Sequence, residues 1–136
     1  MPAQLERNFE KYLGGPTVPP EQRMHVSIDK RGVITFNARC FREIGKPTAV
    51  WLHFSRVDDT IAIEPVHSLH LPGVFPLRPN GTAWYLNSAP YCRNYGIRLD
   101  STHRFISPEF RNGALYLKLS ETVIIKQERR KAKKKV

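Results

Sequence analysis

The sequence predicts a mainly β domain made of two degenerate copies of one unit, each carrying a short helix. Three observations point there. Residues 37–45, Asn-Ala-Arg-Cys-Phe-Arg-Glu-Ile-Gly, read as one helix with both stops written in. The same grammar returns 51 residues further on, in Ser-Ala-Pro-Tyr-Cys-Arg-Asn-Tyr-Gly at 88–96. There Ser88 falls on Asn37, Arg93 on Arg42, Tyr95 on Ile44 and Gly96 on Gly45. Strand-like runs flank both helices, and the downstream parts align too: 50–54, Asp58-Asp59 and 61–63 beside 104–106, Asn112-Gly113 and 115–119. A repeat of this kind implies an internal duplication.

Each element has a local reason. Residues 3–13 put Leu5, Phe9, Tyr12 and Leu13 on one helical face, and Gly14-Gly15-Pro16 ends that helix. Pro19-Pro20 stiffens the linker, so 1–22 is an N-terminal helix plus linker. Repeat one, 24–64, opens with a hairpin around Asp29-Lys30-Arg31-Gly32. Asn37 caps the helix at 38–44, Gly45 ends it in the left-handed region, and Lys46-Pro47 bars its continuation. Phe41 and Ile44 share one face of this helix; Arg39 and Arg42 share another. Strands at 49–54 and 60–64 follow, joined through Asp58-Asp59.

The connector, 65–79, holds four prolines, which cannot donate to an interior ladder. Repeat two, 74–120, starts with a strand around 74–77, an Asn80-Gly81 hairpin turn and a strand at 82–86. Pro90 sits in the first turn of the helix at 89–95, where its missing N–H is not needed. Residues 103–106 and 114–119 are expected to pair across Asn112-Gly113, and 123–125 to add an edge strand. The repeats form one domain, 23–125, and 126–136 is a basic tail without apolar periodicity.

Charge narrows the partners. The chain carries +10, but 126–136 alone holds seven basic residues against Glu128, leaving +4 for the other 125 residues. Arg129, Arg130, Lys131, Lys133, Lys134 and Lys135 therefore read as non-specific contacts to a polyanion backbone. No apolar run reaches the roughly 18–20 residues of a membrane span, and the N-terminus lacks an apolar signal core. A cytoplasmic, nucleoid-associated protein without membrane contact is expected. Cys40 and Cys92 are too few for a disulfide scaffold and read as small buried hydrophobes in a reducing compartment.

The phrase from Asp29 to Gly45, with Gly32 twelve residues before Ile44 and a basic residue two before it, resembles the AbrB-type swapped-hairpin family. Two copies in one chain are similar in layout to MraZ-type regulators. The resemblance covers about 24–65 closely and 74–120 loosely. It implies a small β-barrel of two interlocked swapped-hairpin copies, each supplying strands the other lacks. It also implies a DNA-binding transcriptional regulator or antitoxin-like repressor, with duplex DNA as partner and homo-oligomers possible. Matching by motif position makes Lys30, Arg31, Arg39, Arg42 and Arg93 the candidate contacts. The departures are Val33 where the family often has Arg, Asn37 where it often has Pro, and the absence of a basic hairpin turn in copy two.

Other chemistry has little footing. No G-x-S-x-G, Walker A or H-E-x-x-H motif occurs, so no enzyme and no cofactor is expected. His67-x-x-His70 with the two cysteines lacks the close Cys pairs of zinc sites. Trp51, Trp84 and Tyr85 fall in strand runs and read as core or wall. Two rivals remain. One is an RNA- or ribosome-associated basic protein that binds through its tail. The other is a protein-interaction module of a phage or mobile element.

Overall fold

In the computed structural model, which describes residues 23–125, the first hairpin joins β1 (Val26–Ile28) to β2 (Val33–Phe36). Its register sets Val26 beside Phe36 and Ile28 beside Ile34, and all four are fully buried. The alternation of apolar residues thus becomes one inward face. Asp29 shapes the turn: its Oδ1 accepts from the backbone N–H of Arg31 (2.9 Å) and Val33 (3.0 Å). The expected N-terminal helix and the basic tail lie outside the described residues.

Asn37 caps α1 (Ala38–Glu43) by accepting from the Cys40 N–H at 3.0 Å. The same Oδ1 accepts from the His25 N–H at 3.0 Å, pinning the helix start to the strand entering β1. At the far end the Lys46 N–H reaches the Phe41 carbonyl and the Gly45 N–H that of Arg42. Those two bonds are a Schellman stop. The second helix, α2 (Ala89–Tyr95), ends the same way, with Ile97 bonded to Cys92 and Gly96 to Arg93. Gly45 and Gly96 have φ of 96° and 69°, so glycine is needed at both stops.

After α1 the chain forms β3 (Ala49–Ser55) and β4 (Thr60–Val66), and later β5 (Phe75–Pro76), β6 (Arg78–Asn80) and β7 (Ala83–Asn87). After α2 come β8 (His103–Phe105), β9 (Glu109–Arg111), β10 (Ala114–Lys118) and β11 (Thr122–Ile124). The strands make two antiparallel sheets, ordered β11-β8-β1-β2-β7-β6 and β5-β3-β4-β10-β9. Between them lies one core built on Ile28, Ile34, Phe36, Ile61, Ile63, Leu86, Leu115 and Leu117.

Of the nine ladders among the described residues, four cross between the halves: β2 with β7, β4 with β10, β1 with β8 and β3 with β5. The exchange is reciprocal. Each half gives its opening strand to the strand that follows the other half's helix. Phe41 of α1 also stacks on Trp84 of β7, ring centroids 4.1 Å apart.

Three expectations need correction. Among the described residues the sheets do not close into a barrel; each ends in open edges. Pro76 and Pro79 stand in the edge strands β5 and β6, where they lack the N–H that another ladder would need. Residues 103–106 do not pair with 114–119. The two-residue turn Asn112-Gly113, both at positive φ, forces the residues flanking it, Arg111 and Ala114, to be partners. Thus β9 is the hairpin partner of β10, and β8 joins β1 and β11 in the other sheet. Finally, Asn80 stays in its strand opposite Ala83, so the loop is Gly81-Thr82, one residue later than the Asn-Gly pair implies.

Candidate nucleic-acid interface

The turn between β1 and β2 docks on the start of α2. Ser88 supplies the lock: its N–H and its hydroxyl both donate to the Gly32 carbonyl, at 2.8 and 2.7 Å. Ser88 is fully buried, so this acceptor also satisfies a hydroxyl that would otherwise be costly to bury. Gly32, at φ 84°, meets the helix so closely that a Cβ would lie 3.0 Å from the Ala89 Cα. Ser88 is expected to match the capping Asn37, yet its side chain makes no cap bond. Asn87 holds the helix start instead, accepting from the Ala89 N–H at 3.1 Å.

Docking opens a cleft of about 600 Å³ between the turn, α2 and the loop running from α2 to β8. Lys30 and Arg31 come from the turn, Arg93 from α2, and Arg98 and Asp100 from the loop. Their charges are unequal in effect. Arg31 is tied to Asp29 through its Nε (3.1 Å) and Nη2 (2.8 Å). Burial pushes the Asp29 carboxyl up, but hydrogen bonds from Val33 and Arg31 outweigh it and hold the group below the usual range. The Asp29–Arg31 pair therefore compensates itself. Lys30, Arg93 and Arg98 are exposed and make no ion pair among the described residues. These three cations are the ones available to a ligand.

The structure so gathers Lys30, Arg31 and Arg93, one half's turn against the other half's helix. It does not bring Arg39 or Arg42 to the cleft. Both sit on α1, where Arg39 pairs with Glu43 at 3.4 Å and Arg42 is exposed. Arg129, Arg130, Lys131, Lys133, Lys134 and Lys135 lie outside the described residues. Sequence reading missed Arg98 and Asp100. Position 98 falls on Pro47 in the expected repeat register, so that register gave no signal for it.

Cys40 and Cys92 are buried free thiols. Burial, with Glu43 nearby, pushes the Cys40 thiol up to about 12, which removes it as a nucleophile or metal ligand at neutral pH. Burial also pushes the Tyr91 hydroxyl up, and it donates to the His53 carbonyl at 2.7 Å. No group of three or more His, Cys, Asp or Glu side chains that could hold a metal occurs among the described residues. None of the described helices is long and apolar enough to cross a membrane. No family model, curated protein or solved structure matches the chain.

Proposed function

We propose that this protein binds nucleic acid, duplex DNA in preference, as a transcriptional regulator or antitoxin-like repressor of the AbrB-type swapped-hairpin kind. Two interlocked copies would account for the reciprocal strand exchange and for the matching Schellman stops. The observation that carries the functional reading is a set of three cations on one cleft, Lys30, Arg93 and Arg98, with no ion pair among the described residues. Cations left without such a partner are free to replace the counterions of a phosphate backbone, and each phosphate so met adds salt dependence. Arg42 and the tail would add to the same attraction.

The concentration of +6 in 126–136 favours a second reading, in which the tail alone holds RNA or any polyanion. Titration of a labelled duplex across a salt series separates them. Changing Lys30, Arg93 and Arg98 together to Ala should flatten the log–log salt slope by roughly 0.9 for each phosphate no longer neutralised. Deleting 126–136 should weaken binding without abolishing it. An unchanged slope in the triple variant, with binding abolished by the tail deletion, would hand the function to the tail.

A further inference from the structure

The cleft has more chemistry than a phosphate backbone needs. Its lining includes the half-buried Ile97 and Leu99, and an exposed Asp100 with no ion pair among the described residues. A ligand that presents only phosphates gains nothing from the apolar wall and is repelled by the Asp100 carboxylate. A nucleotide uses every part. Its phosphate would meet Lys30, Arg93 and Arg98 in charge-assisted hydrogen bonds. The face of its base would cover Ile97 and Leu99. The N–H edge of the base donates to Asp100, which when ionised can only accept. A volume of about 600 Å³ is that of a small-molecule site.

We propose that the cleft between the β1–β2 turn and the α2–β8 loop is a site for one nucleotide, either free or unpaired in a strand. The phosphate is held by Lys30, Arg93 and Arg98 and the base is read by Asp100. This goes beyond duplex binding, in which bases remain stacked and paired. Guanine suits the carboxylate best, because two adjacent N–H donors can meet its two oxygens. Uracil offers a single donor.

Isothermal titration of the full chain with guanosine 5′-monophosphate, uridine 5′-monophosphate and inorganic phosphate tests the site. The guanine nucleotide should bind roughly tenfold or more tightly than phosphate, and Arg98→Ala should weaken it by a similar factor. Asp100→Asn should weaken the guanine nucleotide more than the uracil one. Lys118→Ala, an equal charge change outside the cleft, is the control, and circular dichroism melts report folding. The site is overturned if phosphate binds as well as either nucleotide, or if Arg98→Ala acts no more than Lys118→Ala. Equal weakening for both bases in Asp100→Asn overturns the base-reading role. A short single strand separates the sources: tighter binding than the free nucleotide, with the excess lost in Arg98→Ala but not in Lys118→Ala, places the unit in a strand, whereas equal binding, or an excess that survives Arg98→Ala and so belongs to the tail, makes it a free ligand. Duplex titrations on the same samples judge the DNA reading separately. Absence of duplex binding in the wild type with the nucleotide still bound sinks that reading and leaves this site standing.

Discussion

Cys40 shows how far burial reaches into one side chain's chemistry. It lies on the inward face of α1, fully buried, and that burial pushes its thiol up to about 12 from the ordinary 9.0. The unfolded chain therefore releases this proton at a lower pH than the folded one. Its stabilising effect is whole below pH 9 and declines as pH rises towards 12, by up to about 1.4 kcal/mol per pH unit. Tyr91, also raised by burial, acts with the same sign at higher pH. Urea unfolding at several alkaline pH values should thus show a shallower decline in Cys40→Ala than in the wild type. Parallel declines would mean that the thiol is not protected. The burial of this cysteine was legible in the sequence, since Arg39 and Arg42 take the polar face of a capped turn and leave the other face to it. The role of Ser88 was not. Its partner, the Gly32 carbonyl, is 56 residues away, and no local pattern announces so distant an acceptor. Arg98 was hidden for the same reason: a cleft formed by docking is not written in the segments that dock.

Strands and turns were more legible wherever a period or a backbone conformation decided them. The hairpin at 26–36, the helix stops at Gly45 and Gly96 and the Asn112-Gly113 turn all follow from residue choice. The partner of β8 did not, because a strand of three residues between two irregular loops, 96–102 and 106–108, can join either sheet. Edges raise a different question at this scale. The edge strands β5 and β6 carry prolines and β9 carries Glu109 and Arg111, devices that discourage pairing with another chain. The remaining edge, β11, reads Thr-Val-Ile without charge, and Val123, Ile124 and the neighbouring Ile106 are exposed. Ile125 turns its N–H to the Thr102 carbonyl, so alternation along the strand leaves the polar groups of Ile124 at the open side. Ile124→Lys should leave the melting temperature within about a degree or two, as surface changes usually do. It should also reduce concentration-dependent association in analytical ultracentrifugation. If the wild type stays monomeric at high concentration and the variant behaves alike, this edge is inert.

At the scale of the molecule, neither half owns a complete sheet. β2 needs β7, β4 needs β10, and the core between the sheets takes Ile28, Ile34, Phe36, Ile61 and Ile63 from one half and Leu86, Leu115 and Leu117 from the other. Separating the halves would expose the inner faces of both sheets. At about 25 cal/mol per Å² of apolar surface, even a few hundred Å² rivals the marginal stability of a domain this size. The loop at 67–73 is the place to cut. It carries no strand, His67 and 69–73 are exposed, and its main tie is the Trp51 indole donating to the Pro72 carbonyl at 2.8 Å. Two peptides divided there, each expressed alone, should lack a cooperative melt. Mixed in equal amounts they should regain antiparallel β circular dichroism and a single transition. Because β1 must find β8 across most of the described chain, reassembly and the folding of the intact chain should both be slow, milliseconds to seconds for the latter. A cooperative melt from either peptide alone would show that a half can fold unaided. The exchange of strands would then be a late embellishment, and the cleft that depends on it would lose its structural basis.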